Sequence, residues 1–281
     1  MVYAYSWYLN TVCENWDAIV EGDYETVMPL AYRKKYGIYY IYQPLFTQQL
    51  GVFSTKKLNQ EKINEFLNAI PGKYKLIEAQ LNTLNNLEQS NGFIIQKAVT
   101  YELDLIKPYE KARIEYSTNT RRNIEKSKTY SLTVSNNVSV FEFIDFYRNN
   151  LLKTQKFSIP AFEIDKLYIL ASVAVKTNHG IIYAVFDENG RMLAAAFFVY
   201  SHNKTILLIS TSNEDGKEKR TMFKLIDEYI KINSGRNITL DFEGSMIEGV
   251  ARFYAGFGAI PCSYIKIKKN KLPFYIRWFK K

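Results

Sequence analysis

The residues of this chain best suited to acid–base chemistry are two carboxylates and a tyrosine in its C-terminal part. Asp241 and Glu243 come at the end of an apolar stretch, and Tyr254 follows within the next short segment. A positioned carboxylate can accept a proton from an attacking group, and a phenol can return one to a leaving group. These three are the candidate catalytic residues. The structural alternatives are that Asp241 caps a turn, Glu243 is solvated and Tyr254 is a core aromatic.

Polar, basic and aromatic residues near these three predict a substrate-binding surface. The candidates are Arg121, Arg122, Lys126, Thr211, Ser212, Gly244, Ser245, Phe253 and Phe257. Arginine and lysine bind phosphate groups, so the basic members are expected to contact a phosphate-bearing acceptor or tRNA. A solvated helix face is the structural alternative for them.

A charged loop from residue 212 to residue 220 is the candidate phosphate-binding segment. A backbone cradle for pyrophosphate at a helix start needs two small residues. This loop offers one, Gly216. Phosphate is therefore expected to be bound through the side chains of Lys217, Lys219 and Arg220.

The cysteines and histidines argue against several classes of site. Cys13 and Cys262 form neither a disulfide framework nor a CxxC pair, and with only His179 and His202 no metal site is predicted. The free thiols and the absence of a signal peptide predict a cytoplasmic protein. No covalently bound cofactor is expected, and no run of apolar residues is long enough to predict a transmembrane helix.

The charge balance indicates anionic partners. The formal net charge is +9, which favours an anionic small molecule or carrier as the substrate and also admits tRNA. Residues 266 to 281 are basic and aromatic, so peripheral contact with a membrane or with nucleic acid is a further expectation. A final strand whose aromatics pack inward is the alternative.

Hydrophobic periodicity in the second half predicts an α+β fold of mixed α/β order. The predicted strands are 131–134, 181–186, 192–200, 205–211, 238–242 and 262–267, and the predicted helices are 141–151, 163–176, 220–232 and 250–254. The chain of 281 residues, 47 % of them apolar, is long enough for two domains.

The first half repeats part of this pattern. Residues 63–79 align without a gap with residues 226–242, each copy being an amphipathic helix, a glycine, a basic residue and a strand ending in an acid. This match predicts an internal duplication, with domains at 1–115 and 116–281. It also predicts a helix over 7–20 and a strand pair over 25–42.

Three segments resemble the FemAB family. Asp-Phe-Glu-Gly-Ser at 241 to 245 and Phe-Tyr-Ala-Gly-Phe-Gly at 253 to 258 resemble the family's Asp-Phe-x-Gly-Ser strand end and Phe-Lys-x-x-Phe-Gly. Arg-Arg-Asn-Ile-Glu-Lys-Ser at 121 to 127 resembles the segment that opens the family's second GNAT domain, and Tyr-Glu-Leu-Asp-Leu at 101 to 105 resembles the strand before it.

The resemblance implies two tandem GNAT-like domains, each a mixed, mostly antiparallel sheet flanked by helices. It implies a peptidoglycan-related transferase that moves an amino acid from aminoacyl-tRNA to a side-chain amine, or an acyl group from acyl-CoA as in other GNAT proteins. Tyr254 stands where the family has a lysine that helps to hold the donor ester. That departure counts against aminoacyl-tRNA.

Three functions stay open on the sequence. The first is an N-acyltransferase that acts on an amine, on a cell-envelope or other anionic carrier. The second is a catalytically degenerate GNAT pair that binds a nucleotide or carrier without turnover, which Tyr254 and the single glycine of the loop favour. The third is a nucleic-acid-binding protein that uses the basic linker and tail, and it predicts binding with a steep salt dependence.

Overall fold

The chain forms two compact units. The computed structural model describes residues 1–90, 92–154, 159–244 and 247–274. One unit, the C-unit, consists of residues 1–2 and 100–261, and the other, the N-unit, of residues 3–99 and the chain from residue 262 on. The division into tandem domains at residue 115 stays a prediction.

The elements of the first hundred residues are mostly strands. They are α1 (Ser6–Val12), β1 (Asn15–Glu21), β2 (Thr26–Lys35), β3 (Ile38–Ile41), β4 (Phe53–Ser54), α2 (Gln60–Asn68), β5 (Tyr74–Gln80) and β6 (Ile94–Asp104).

The remaining elements alternate helices with strands. They are α3 (Tyr109–Ile114), α4 (Thr118–Lys128), β7 (Thr133–Ser135), α5 (Val140–Thr154), α6 (Ala161–Lys176), β8 (Gly180–Phe186), β9 (Met192–Ser201), β10 (Lys204–Ser212), α7 (Glu214–Glu218), α8 (Thr221–Asn233), β11 (Thr239–Asp241), α9 (Glu248–Ala255) and β12 (Ile260–Asn270).

These elements confirm the α+β class and the predicted order of the second half. The helix predicted over residues 7–20 is wrong. The α1 helix ends at Val12, and β1 pairs with β2 along its whole length, from Asn15 to Glu21. From Asn15 to Ala18 polar and apolar side chains alternate, and this period of two, followed by the β-branched Ile19 and Val20, suits a strand better than a helix.

The C-unit sheet has the order β6-β11-β10-β9-β8-β7, antiparallel except for the parallel pair β10 and β11. Its central strand, β9, is apolar and buried from Leu193 to Val199 because helices cover both faces. On one face α8 packs Leu225, Ile226, Tyr229 and Ile230 into the core, with the Tyr229 ring stacked on Phe198 at 3.7 Å.

The N-unit sheet repeats that arrangement. Its order is β1-β2-β3-β5-β12, with β4 beside β2, and only β3 and β5 pair in parallel. The amphipathic helix α2 buries Ile63, Phe66 and Leu67 against this sheet.

The two units share one strand pattern. In each, three antiparallel strands lead through a helix to a strand that pairs in parallel with the third, and an antiparallel strand closes the other side. The two aligned sequence segments fall on the helix and the parallel strand of that pattern. The duplication inferred from the sequence stays a prediction.

The two repeat glycines differ in backbone conformation, which predicts opposite effects of alanine. Gly235 has φ +78°, whereas Gly72 lies outside the left-handed region, and a Cβ would contact nothing at either. We expect Gly235→Ala to lower the free energy of unfolding by about 1 kcal/mol because of strain. We expect Gly72→Ala to raise the free energy of unfolding by roughly 0.4–1 kcal/mol, since alanine restricts the conformations of the unfolded chain. Urea denaturation measures both, and equal effects would contradict the assignment.

Candidate active site

The C-unit sheet opens between β10 and β11. The two strands pair over only three positions, Lys204–Ile206 with Thr239–Asp241, after which β11 ends and β10 continues to Ser212. A β-bulge shifts the register of β10 on β9 between Leu207 and Ile209. Along the described residues no strand pairs with this edge of β10 beyond Ile206. We call this opening the β10/β11 gap, and its backbone groups are available to a ligand.

The matching position in the N-unit is bridged by two contacts. There β3 and β5 also pair in parallel over a short stretch, ending at Ile41 and Ile77. The Gln43 side chain then accepts a hydrogen bond from the Gln80 N–H at 3.0 Å, and Leu50 forms a bridge with Leu81. A small cavity lies beside these contacts, lined by Ile41, Gln43, Leu50 and Ile77 among others. The three candidate catalytic residues belong to the C-unit, so the β10/β11 gap is the candidate site.

Asp241 ends β11 and is almost fully buried, at 1 % exposure. Its carboxylate pairs with the Lys204 ammonium at 2.8 Å and accepts hydrogen bonds from the Thr100 hydroxyl at 2.5 Å and the Glu243 N–H at 3.1 Å. Burial opposes the charge on Lys204, but Asp241 and Glu102 outweigh it and raise the pKa of Lys204. Because its oxygens are occupied, Asp241 is suited to orienting its neighbours.

Glu243 lies just beyond Asp241 in a left-handed turn. Both Glu243 and Gly244 have φ 52°, a conformation that is unfavourable for a residue with a side chain. The residue as a whole is half-buried, whereas its carboxyl group is enclosed, and this burial raises the pKa of Glu243 to about 8. Such a carboxyl exchanges protons near neutral pH, which is what a general base requires.

Tyr254 projects from α9 toward the same place. Its ring stacks on Phe242 with centroids 4.6 Å apart. Burial, followed by the charges of Glu243 and Asp241, raises the pKa of the Tyr254 phenol. The phenol is therefore protonated at neutral pH and can act as a donor. The structure thus brings the three candidate catalytic residues into one electrostatic environment.

The other substrate-binding candidates differ in accessibility. Phe257 is fully buried, with its ring 5.3 Å from that of Tyr116, and Phe253 packs edge-on against Phe223 at 4.8 Å. Gly244 is exposed beside Glu243. Thr211 and Ser212 are half-buried at the end of β10, and Ser245 lies outside the described residues.

The basic candidates of α4 form an exposed face. Arg121, Arg122 and Lys126 are all exposed, while Ile124 and Ser127 on the opposite side of the helix are buried. The Ser117 side chain caps the helix by accepting a hydrogen bond from the Thr120 N–H. This face is available to an anion.

The candidate phosphate loop contains the short helix α7. The Gly216 N–H donates to the Asn213 side chain, and a Cβ at Gly216 would lie 2.2 Å from the Leu193 carbonyl oxygen. Gly216 therefore serves packing and capping. The remaining candidates are the basic side chains.

These basic side chains have different neighbours. Lys217 pairs with Glu214 at 2.6 Å, and Lys219 lies over the Tyr130 ring at 5.8 Å. Arg220 has φ 59° and donates to the Lys217 carbonyl. Lys219 and Arg220 are half-buried at the start of α8, beside the positive end of its dipole.

Sequence reasoning missed Thr100, Glu102 and Lys204. Lys204 contacts Glu102 at 2.5 Å and Asp241 at 2.8 Å. Glu102, Lys204 and Asp241 are far apart in the chain and meet only through the pairing of β6, β10 and β11. The one sequence signal was a lysine just before the apolar run 206–209.

Comparison with known proteins gives matches in structure. No family model and no curated protein matches the chain. The crystal structure of FemX aligns with TM-score 0.67 and 13 % identity, covering 94 % of this chain and 92 % of its own. L-PGS from Bacillus licheniformis aligns with TM-score 0.53 and 12 % identity, covering 96 % and 88 %. A GCN5-related N-acetyltransferase from Kribbella flavida aligns with TM-score 0.51 and 12 % identity, covering 94 % and 93 %.

These alignments define the fold as GNAT-type. Within that class the fold is similar to that of FemX, which is the FemAB-like fold that the sequence resemblance implied. Among the described residues, no helix has the length and apolar character needed to cross a membrane.

The raised pKa of Glu243 predicts a pH-dependent gain in stability for Glu243→Gln. Between the ordinary value of 4.5 and about 8, the folded state binds more protons than the unfolded state, so the native chain loses stability as pH rises. Glutamine removes this loss. We expect the variant to match the native protein near pH 4 and to melt several degrees higher above pH 8.

Thermal melts across this pH range measure the difference. Glu188→Gln, in an exposed turn, is the control and should give a flat difference. A flat difference for Glu243→Gln as well would contradict the enclosed carboxyl.

Proposed function

We propose that this protein is an N-acyltransferase that moves an acyl or aminoacyl group to an amine. The observation that carries the proposal is the position of Glu243, an enclosed carboxyl in a left-handed turn at the end of β11, beside the β10/β11 gap. The FemAB-like, GNAT-type fold supports the same reaction class.

The geometry suggests how the reaction proceeds. Glu243 accepts a proton from the ammonium of the acceptor, and the freed amine attacks the carbonyl carbon of the donor. Backbone N–H groups of β10 beyond Ile206, where the pairing with β11 has ended, stabilise the oxyanion of the tetrahedral intermediate. The bond to the donor's sulfur or oxygen then breaks, and Tyr254 gives its proton to the departing group. The attacking nitrogen loses its second proton to the Tyr254 phenolate, which restores the phenol.

The donor and acceptor follow from charge and resemblance. The exposed face of α4 and the basic residues at the start of α8 suit a donor or acceptor that carries phosphate, such as acyl-CoA, aminoacyl-tRNA or a nucleotide-linked carrier. The FemAB resemblance favours an amine on a cell-envelope carrier as the acceptor. It also favours an enzyme of two tandem domains that acts in the cytoplasm. Of residues 266–281, proposed from sequence to contact a membrane or nucleic acid, 266–270 belong to β12 and 275–281 lie outside the described residues.

A second candidate is a GNAT pair that binds its ligand without turnover. Two observations favour it. The Gly216 N–H is bonded to Asn213 and its Cα packs on Leu193, so it does not offer a phosphate cradle. Asp241 is paired with Lys204, so it is not placed to accept a proton. In this alternative the protein binds an anion through its basic surface but transfers no proton. The basic α4 face alone would also suit nucleic acid, and then oligonucleotide affinity would fall steeply with salt.

Ligand-induced stabilisation distinguishes the donors. We expect either acetyl-CoA and longer acyl-CoAs, or a non-hydrolysable aminoacyl-adenosine, to raise the melting temperature by several degrees. A ligand at about 100 times its dissociation constant adds roughly 2.7 kcal/mol. Thermal melts with each compound, and with CoA and adenosine as controls, test this. No shift with any of them would contradict an acyl or aminoacyl donor.

Substitution of the candidate catalytic residues tests turnover. In a transfer assay with the donor so identified, we expect Glu243→Gln to lower kcat by about 10²–10⁴-fold, since proton transfer is lost, and Tyr254→Phe to lower it less. Glu188→Gln serves as the control. Normal kcat in both variants would show that the site assignment is wrong, and a ligand that binds without turnover in the native protein would support the binding-only alternative.

A further inference from the structure

Four polar side chains meet behind Glu243 on one face of the C-unit sheet. Glu102 of β6 lies opposite Asp241 of β11, and Lys204 of β10 lies opposite Thr239. Paired residues and every second residue along a strand share a face of a sheet. Thr100, Glu102, Lys204 and Asp241 therefore converge, although they come from three strands.

Asp241 is held from three directions. Lys204 binds one carboxylate oxygen, and the Thr100 hydroxyl and the Glu243 N–H bind the other. Glu102 holds the ammonium of Lys204 in place at 2.5 Å. The carboxylate of Asp241 is thus fixed relative to the sheet and bonded directly to the backbone of Glu243.

The turn that it holds is strained. Glu243 and Gly244 adopt the left-handed conformation in succession, and Glu243 has a side chain. Backbone in this region persists only where the surroundings determine it. The hydrogen bond from the Glu243 N–H to Asp241 is one restraint on this turn, and its geometry depends on the position of the Asp241 carboxylate.

We propose that Lys204 and Thr100 are positioning residues, which fix Asp241 and through it the left-handed turn that presents Glu243 to the β10/β11 gap. The catalytic consequence rests on the proposed function, whereas the effect on the Glu243 carboxyl does not. Neither residue touches a reacting atom. Their role is to keep Glu243 enclosed and aimed, in the way that supporting hydrogen bonds orient a catalytic group.

The test measures the titration of the Glu243 carboxyl by ¹³C NMR of protein labelled at the glutamate carboxyl carbon, with the signal assigned from its loss in Glu243→Gln. Thr100→Val removes the hydroxyl at nearly constant shape, and Thr100→Ser keeps it. Lys204→Met removes the ion pair. The control is Arg191→Met, which breaks the 2.8 Å pair between Arg191 and the buried Asp187 in the turn between β8 and β9.

We expect the Glu243 midpoint to fall by about one pH unit or more in Thr100→Val and Lys204→Met, because a released turn lets the carboxyl reach water. It should stay unchanged in Thr100→Ser and Arg191→Met. An unchanged midpoint in folded Thr100→Val would overturn the proposal. Should Lys204→Met fail to fold, the Thr100 pair decides, since neither of those variants disturbs the ion pair.

A transfer assay separates this inference from the proposed function. If transfer is found, Thr100→Val should lower kcat with KM unchanged, and Thr100→Ser should restore it. If the Glu243 midpoint falls in Thr100→Val but the native protein transfers nothing, the proposed function is refuted and the positioning role of Thr100 stands. Normal titration in Thr100→Val of an active enzyme would refute the inference alone.

Discussion

The site depends on the ion pair between Asp241 and Lys204. A carboxylate at 1 % exposure is too costly to leave without a partner of opposite charge. The sheet supplies one by placing β10 beside β11 in a parallel register that begins at Lys204 and Thr239. That register also determines where β11 ends relative to β10.

The early end of β11 gives the C-unit its opening. Because β10 continues past Ile206 while β11 turns away, the edge of β10 is left for a ligand. In the N-unit the Gln43 side chain and the bridge between Leu50 and Leu81 cross the matching position. The same strand pattern therefore ends differently in the two units.

Much of the fold follows from local patterns. Alternating and helical periodicities place α8, β11 and α9 correctly, and the acids at the end of a buried strand locate Asp241 and Glu243. The strand β1 was missed because the apolar residues after Val12 fit a helical spacing as well as a period of two. Pairing with β2 stabilises the strand. Lys204 was missed because its partner Glu102 is remote in sequence and meets it only across paired strands. The full burial of Phe257 likewise depends on the packing of Tyr116 and Phe242 around it.

The central claim is that the donor's carbonyl binds in the β10/β11 gap of the C-unit. Amide chemical-shift mapping of labelled protein, titrated with acetyl-CoA or with a non-hydrolysable aminoacyl-adenosine, tests it most directly. The account predicts the largest shifts at residues 207–212, at Glu243 and Gly244, and at Tyr254. Largest shifts around Gln43 and Leu50 in the N-unit, or on the exposed face of α4 alone, would contradict it.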